Sequence, residues 1–305
     1  MDRRAWLSLL ALGAIWGASY MFIAIGLRDL SPGMVAFLRI ALAAVVLIPV
    51  AAARGALSGA RRYLGWLVLV GAIQVAGPFI LISAGEEEIN SSLAGILVAA
   101  APLWTAVLAI WVDHEERSQG LRLIGVLIGF AGVGLLLGVD LGGGGSELLG
   151  GLGVVAAALG YAIGGFLVKH RLTGMEPLGM SGLVMVASAL LLLPVAVATA
   201  PDSSPSLGPV AAVTALGVVG TGFAFAIFYR LISTVGLART LLVTYIAPGF
   251  AIVYGALFLS EAITPATIGG LVLILAGSWL SVEGRMPGRR RRWTREELAA
   301  RPLSE

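Results

Sequence analysis

The sequence predicts an all-α membrane protein: ten transmembrane helices arranged as two inverted five-helix repeats. Three observations predict it. The first is composition. Of 305 residues, 58% are hydrophobic and only 12% are charged, where a soluble domain carries about 25% charged residues. The second is segmentation. Charges and turn residues cut the chain into ten apolar runs, each near the about 20 residues that a helix needs to cross a bilayer. The third is internal repetition, in which prolines, an acidic turn and the glycines after it recur in both halves.

Taken in order, the first run covers roughly 5–27 and is long enough to span a bilayer. It passes Ile25 without an A-x-A-like cleavage site and without a polar region after it, so it is expected to be a retained helix rather than a signal peptide. "RDLSP" separates it from the second run, 33–53, and "RGALSGARR" separates the second from the third, 63–83. The fourth and fifth cover 91–111 and 121–139. Gly142 to Gly145 lead into the sixth, 149–168. "APDSSPSLGP" parts the seventh, 178–199, from the eighth, 209–229, and the ninth and tenth cover 240–259 and 266–283. Short connections make successive helices antiparallel neighbours. The 42 glycines suit this class, because membrane helices use glycine for close backbone approach. The chain has no cysteine, which excludes disulfides, thiolate metal sites and cysteine nucleophiles.

Orientation follows from lysine and arginine, which concentrate on the cytoplasmic side. With the N-terminus inside, every one of the 20 basic residues falls in cytoplasmic segments except Arg28, in an outer loop, and Arg39, within the second helix. The outer segments then carry Asp29, Glu86, Glu87, Glu88, Asp140, Glu147, Asp202 and Glu261. The expected location is the cell inner membrane or plasma membrane, multi-pass, with both termini cytoplasmic.

The repeat is visible as matched pairs. Pro32 matches Pro177, Pro49 matches Pro194, Trp16 matches Tyr161 and Leu27 matches Leu172 at one common spacing. Phe79 matches Phe225 and Pro102 matches Pro248 one residue further on, and the first spacing then returns for Glu116 with Glu261, Gly125 with Gly270 and Gly132 with Gly277. Five helices per half is an odd number, so the second half is inverted. Residues 1–139 form the first repeat, 140–148 a Gly-rich linker, 149–284 the second repeat and 285–305 a basic cytoplasmic tail. Inverted repeats are the usual frame of secondary transporters, with the substrate site near the midplane.

Four stretches carry a family resemblance: "AIWGASYMFIAIGL" in the first helix, "SPGMVAFLRIALAAVVLIP" in the second, "SSLAGILVAAAPLWTAVLAIWVDHEERSQGLRLIGVLIGFAGVGLLLG" over the fourth and fifth, and "LARTLLVTYIAPGFAIVYGALFLSEAITPATIGGLVLILAGSWL" over the ninth and tenth. With them the chain resembles the EamA-type transporters of the drug/metabolite transporter superfamily over about residues 5–283. The resemblance implies a cavity surrounded by helices 1 to 4 and 6 to 9, with helices 5 and 10 supporting. It also implies transport of amino acids, metabolites or drugs. The chain departs from the family pattern at "AGEEEINSS", where the family usually has an apolar, tyrosine-containing end of the third helix.

Arg39 is the sharpest candidate. It lies seven residues after Pro32, about 10 Å along a helix, where a charge is costly and by default functional. It either faces a central cavity and attracts a carboxylate, or snorkels to the headgroups or ties to a carbonyl. Glu86, Glu87 and Glu88 offer one candidate proton carrier or a solvated acidic loop; successive helical residues are about 100° apart, so the three do not share a face. Gln74 is a candidate for hydrogen bonding to substrate or to a neighbouring helix. Ser19, Thr105, Thr221 and Thr244 suit helix-to-helix or backbone bonds. Trp16, Tyr20, Trp104, Tyr161, Phe225 and Tyr245 are candidates for lining the cavity or for packing. Pro102 and Pro248 each remove a backbone bond inside a helix and are matched, which suggests paired hinges.

No enzyme signature emerges. His114 and His170 are the only histidines, and both are expected in cytoplasmic loops, so no metal site or cofactor is expected. The glycines at Gly142 lack a following Lys-Ser/Thr and do not form a phosphate loop. "NSS" at Asn90 fits a glycosylation acceptor, a pattern common by chance. The tail with Arg289, Arg290, Arg291, Arg292 and Arg295 is expected to meet anionic lipid headgroups. "TREE" at Thr294 opens either a short helix or a disordered tail. Nucleic acid is not an expected partner; a small-molecule substrate is, and a homodimer stays open. The function expected is a secondary transporter, an exporter of small organic solutes such as amino acids or metabolites by alternating access. The alternatives are an importer or exchanger of an anionic metabolite, and a non-transporting receptor or scaffold.

Overall fold

A computed structural model of the chain describes residues 1–112, 120–140 and 145–283. Among the described residues every regular element is helical. The helices are α1 (Arg3–Gly26), α2 (Pro32–Ala53), α3 (Ala60–Gly85), α4 (Ser91–Ile110), α5 (Leu121–Gly138), α6 (Gly145–Arg171), α7 (Pro177–Ala198), α8 (Leu207–Val235), the shorter α9 (Val243–Phe258) and α10 (Pro265–Val282). All but α9 are long and apolar enough to cross a bilayer. The chain is a multi-pass membrane protein.

Polar side chains start these helices. Asp2 accepts from the Ala5 N–H at 2.8 Å at the head of α1. Ser31 accepts from Met34 N–H at 3.2 Å ahead of Pro32, whose missing N–H is an orphan at that position anyway. Asn90 accepts from Leu93 N–H at 2.8 Å, so the asparagine of the "NSS" pattern is used as the cap of α4. The chain turns after α2 at Gly55, whose φ of 68° lies in the left-handed region that glycine adopts without strain.

Two sequence expectations change here. Helix α6 begins at Gly145, inside the stretch expected to be a linker, and runs to Arg171, so His170 sits in its last turn rather than in a loop. The physical reason is the helix dipole. Glu147 in the first turn and Lys169, His170 and Arg171 in the last turn carry the signs that helix ends favour, so these charges extend the helix rather than end it. Helix α8 likewise continues to Val235, past the expected end near Tyr229. His114, Glu116, Gly142 to Gly144 and the arginine-rich tail with "TREE" lie outside the described residues.

Helices α3 and α8 each contain a π-helical turn, Gly71–Ala76 and Val218–Phe223. In α3 the turn precedes Pro78, whose ring excludes normal α geometry against the residue four before it. In α8 the Thr221 hydroxyl donates to the Leu216 carbonyl at 3.0 Å, a bond across five residues that fits the widened turn. Helix α4 is interrupted at Ala99–Ala100, and the Ala99 carbonyl accepts from the buried Ser278 hydroxyl of α10 at 3.2 Å.

The principal contacts are α1 with α9, α2 with α7, α3 with α6, and α5 with α10. The α5–α10 seam is built from glycine. A Cβ on Gly277 would lie 2.4 Å from the Gly129 nitrogen, so only the bare backbone fits. One apolar core gathers Ile23, Val35, Leu93, Leu97 and Leu103, and another gathers Ile40, Leu47, Val70 and Met185. Tyr161 packs against both.

Candidate functional site

Arg39 projects from α2 between the π turn of α8 and the part of α3 that follows its own π turn. Its Nε donates to the Thr221 hydroxyl at 3.0 Å, on the π turn of α8. Its guanidinium lies over the Phe79 ring of α3, with Cζ 3.8 Å from the centroid. That distance is a cation–π contact, worth about 2 kcal/mol or more once the cation is stripped of water. Arg39 therefore points into the helix bundle and does not snorkel outward. It lies within electrostatic range of Tyr20 on α1, Tyr161 on α6 and Glu86 just beyond α3. Five helices converge on one permanent positive charge.

Glu86 differs from the two glutamates that follow it. Its backbone closes the end of α3, donating to Ile82 and Ala84 carbonyls, and this turns its side chain inward. The residue is 8% exposed, and among the described residues neither carboxyl oxygen has a hydrogen-bond partner. Burial pushes this carboxyl well above the usual carboxylate range; neighbouring Glu261 adds to the shift and Arg39 opposes it. Glu87 and Glu88 are exposed. Seven residues, two helical turns, separate Phe79 from Glu86, so both lie on one face of the helix.

The same end of the bundle is stitched by helix caps that join sequence-distant segments. Glu261 accepts from the Ser91 N–H at 2.8 Å and the Ser92 N–H at 3.0 Å, and from the Ser92 hydroxyl, at the N-terminus of α4. Asp29 accepts from the Ser206 N–H at 2.7 Å and its hydroxyl at 2.5 Å, at the N-terminus of α8. These bonds, the hydroxyl's first, hold the Asp29 carboxyl below the usual range. The Ser31 hydroxyl donates to the Thr199 hydroxyl at 2.8 Å. Carboxylates at helix N-termini are favoured by the helix dipole.

The remaining sequence candidates fall in three places. Tyr20, Arg39 and Tyr161 meet in the bundle interior. Trp16 and Phe225 pack edge to face with centroids 6.4 Å apart, and Phe228 and Tyr229 extend this aromatic group along α8. Gln74 packs on α6, where a Cβ on Gly164 would lie 2.3 Å from the Gln74 Cβ. Trp104 stands apart, edge-on to Phe130 of α5 at 4.8 Å, with its ring nitrogen buried and without a hydrogen-bond partner. Tyr245 lines a groove of about 480 Å³ with Trp6, Leu242, Ile246, Leu275, Ala276 and Trp279, which shares no lining residue with the Arg39 group. Pro102 lies at the start of the second part of α4, just after its interruption, whereas Pro248 sits inside an unbroken α9. Ser19 and Thr105 bond carbonyls of their own helices, to Ile15 and Ala101, and Thr244 bonds the Leu241 carbonyl in the turn before α9. Phe79 and Glu261 border Arg39 and Glu86, although sequence reasoning used Phe79 only as a repeat mate and Glu261 only as a repeat mate and an outer charge. The seven-residue spacing from Phe79 to Glu86 was the available signal.

The profile of the EamA-like transporter family matches residues 3–138 and, a second time, residues 148–282. The chain belongs to the EamA-like transporter family. It is 25% identical to the probable terminal-alkyne amino-acid exporter of Streptantibioticus cattleyicolor over 95% of this chain and 97% of that one. It is also 25% identical to a probable amino-acid metabolite efflux pump of Escherichia coli strain K12, over 93% of this chain and 96% of the relative. A solved crystal structure superposes with a TM-score of 0.64 at 19% identity, covering 92% of this chain and 98% of that chain, so the two share a fold.

Proposed function

We propose that this EamA-like protein is a secondary transporter that exports small organic solutes carrying a carboxylate, amino acids or related metabolites, by alternating access. The observation that carries the reading is Arg39. A guanidinium held, among the described residues, by a neutral hydroxyl and an aromatic face keeps bidentate donors for a planar anion. In a low-dielectric interior its pull on a substrate carboxylate far exceeds the same pull in water. Tyr20, Tyr161, Trp16, Phe225 and Gln74 would complete the binding surface; Trp104 and Tyr245 are proposed as outlying members. Two relatives named as an amino-acid exporter and an amino-acid metabolite efflux pump agree with this substrate class.

The frame for alternating access is ten helices in two inverted halves. The packing supports it. Exchanging the halves turns the α1–α9 contact into α6–α4, turns α3–α6 into α8–α1, and returns α2–α7 and α5–α10 to themselves, and each of these pairs is in contact. The matched π turns of α3 and α8 obey the same exchange. We place both termini in the cytoplasm, so that the end bearing Asp29, Glu86 and Glu261 faces outward. The test is expression in cells challenged with a panel of amino acids and toxic analogues. Export predicts resistance and accumulation of the solute outside. Faster uptake instead would favour the importer of an anionic metabolite, which the same arginine would serve.

A further inference from the structure

Arg39 and Glu86 are opposite in sign, both inside the bundle, and yet unpaired. The guanidinium is engaged with Thr221 and Phe79, and both Glu86 oxygens lack a hydrogen-bond partner among the described residues. An ion pair kept only for stability would close, because a buried carboxylate left unpaired is strongly unfavourable. The spacing is instructive. Phe79, beneath the guanidinium, and Glu86 lie seven residues apart on one helix face, a rise of about 10 Å. The guanidinium and the carboxyl interact electrostatically without a hydrogen bond between them, which leaves a gap on that face. The ammonium and carboxylate of an α-amino acid are separated by a few covalent bonds and fit such a gap.

We propose that Glu86 is the second pole of the substrate site: it receives the ammonium group of an amino acid whose carboxylate rests on Arg39, and it releases a proton as it does so. This inference rests on the export reading above. Before solute binds, Glu86 is the neutral acid, since it is buried and neither oxygen receives a hydrogen bond from the described residues, and the pull of Arg39 does not make up for that. When the zwitterion enters, the Glu86 O–H bond breaks and the proton passes to water. The carboxylate so formed accepts N–H bonds from the ammonium. When the amino acid leaves, the carboxylate takes a proton back from water. Nothing is oxidised or reduced. If the proton is regained from the side to which the solute departs, one proton enters for each amino acid exported. The charged and titratable groups facing Glu86 are Arg39 from α2, Tyr20 from α1 and Glu261 from the turn before α10, with Tyr161 of α6 beside Arg39 and Tyr20. Arg39 alone is positive, so the site has a place for a second cation.

The full chain, purified in detergent, is first screened by thermal shift against the twenty standard L-amino acids. The tightest binder is then compared with its desamino acid and its decarboxylated amine, with proton release recorded in weak buffer over a pH series. The proposal expects release of about one proton per bound amino acid wherever free Glu86 is neutral, fading as pH rises. Glu86→Gln should release none and bind about tenfold or more weakly, the loss of one charge-assisted bond. The desamino acid should bind both proteins without releasing a proton. Glu87→Gln should match the wild type. If the amino acid binds in an Arg39-dependent way, but with no proton release and with full affinity in Glu86→Gln, the Glu86 inference is overturned and the export reading survives. If none of the twenty binds, the Glu86 inference is overturned, and the export reading is decided by the cell assay above. Should Glu86→Gln not be recoverable, the wild-type proton count alone decides.

Discussion

At the scale of single residues, Arg39 shows how a permanent charge is kept inside an apolar bundle. A hydroxyl from α8 and a ring from α3 hold it, and neither neutralises it. The role proposed for it predicts effects separable from folding. Arg39→Lys should reduce transport in part, because the charge stays but the planar two-pronged donors are lost. Arg39→Gln should abolish it, with a binding loss of about 2–5 kcal/mol. Membrane levels of both should stay near normal. Disappearance of Arg39→Gln from the membrane fraction would make the arginine a structural tie. Asp29 behaves differently, because it is exposed and its task is to cap α8 through Ser206. Its folded pKa is lowered, so its contribution is present above the unfolded value and is lost as pH falls through the folded one. That loss therefore begins from about pH 4 downward. Thermal unfolding followed into the acid range should fall more steeply for the wild type than for Asp29→Asn. Parallel curves would remove the cap from the stability account.

At the scale of elements, the informative features are departures from regular helix. Two π turns and the interruption of α4 sit where the bundle must leave room or bend. The matched prolines do not act identically. Pro102 stands just after the break in α4, while α9 passes through Pro248 unbroken. A proline leaves one carbonyl without its helical donor and so lowers the resistance to bending. Pro102→Ala and Pro248→Ala are each expected to insert normally and to slow transport several-fold in a flux assay. Unchanged rates in both variants would reduce these prolines to packing features. The glycine seam of α5 and α10 is the opposite kind of element. Close backbone contact at Gly125, Gly129 and Gly277 suits a rigid support.

At the scale of the whole molecule, polarity is the organising fact. Asp29, Glu86 and Glu261 gather where caps bridge distant segments, and Arg54, Arg61, Arg62, Lys169 and Arg171 flank the other helix ends. By the positive-inside tendency, the proposed orientation puts that second set in the cytoplasm. Reporter fusions after Gly144 and at Glu305 should read outside and inside respectively. Two readings on the same side would exclude ten spans with both termini in the cytoplasm.

Local chemistry carries much of this protein. The apolar runs announced the spanning helices within a few residues, because a helix in hydrocarbon must satisfy its own backbone and its length follows the bilayer. Ser31 with Pro32, and the paired prolines and glycines, were legible for the same reason: each acts on its own backbone. Arg39 stood out because a lone charge in an apolar run is conspicuous. The ends of α6 were misjudged because Glu147 and Lys169 to Arg171 read as breaks, whereas helix ends favour them. What the linear chain could not disclose is which residues meet. Thr221 reaches Arg39 across 182 residues of sequence, and Glu261 reaches Ser91 across 170. Nor could it tell Glu86 from Glu87 and Glu88, three identical side chains in a row. Only the closing turn of α3, packed against α6, buries one and leaves two in water, since burial is a property of the surrounding helices and not of the residue.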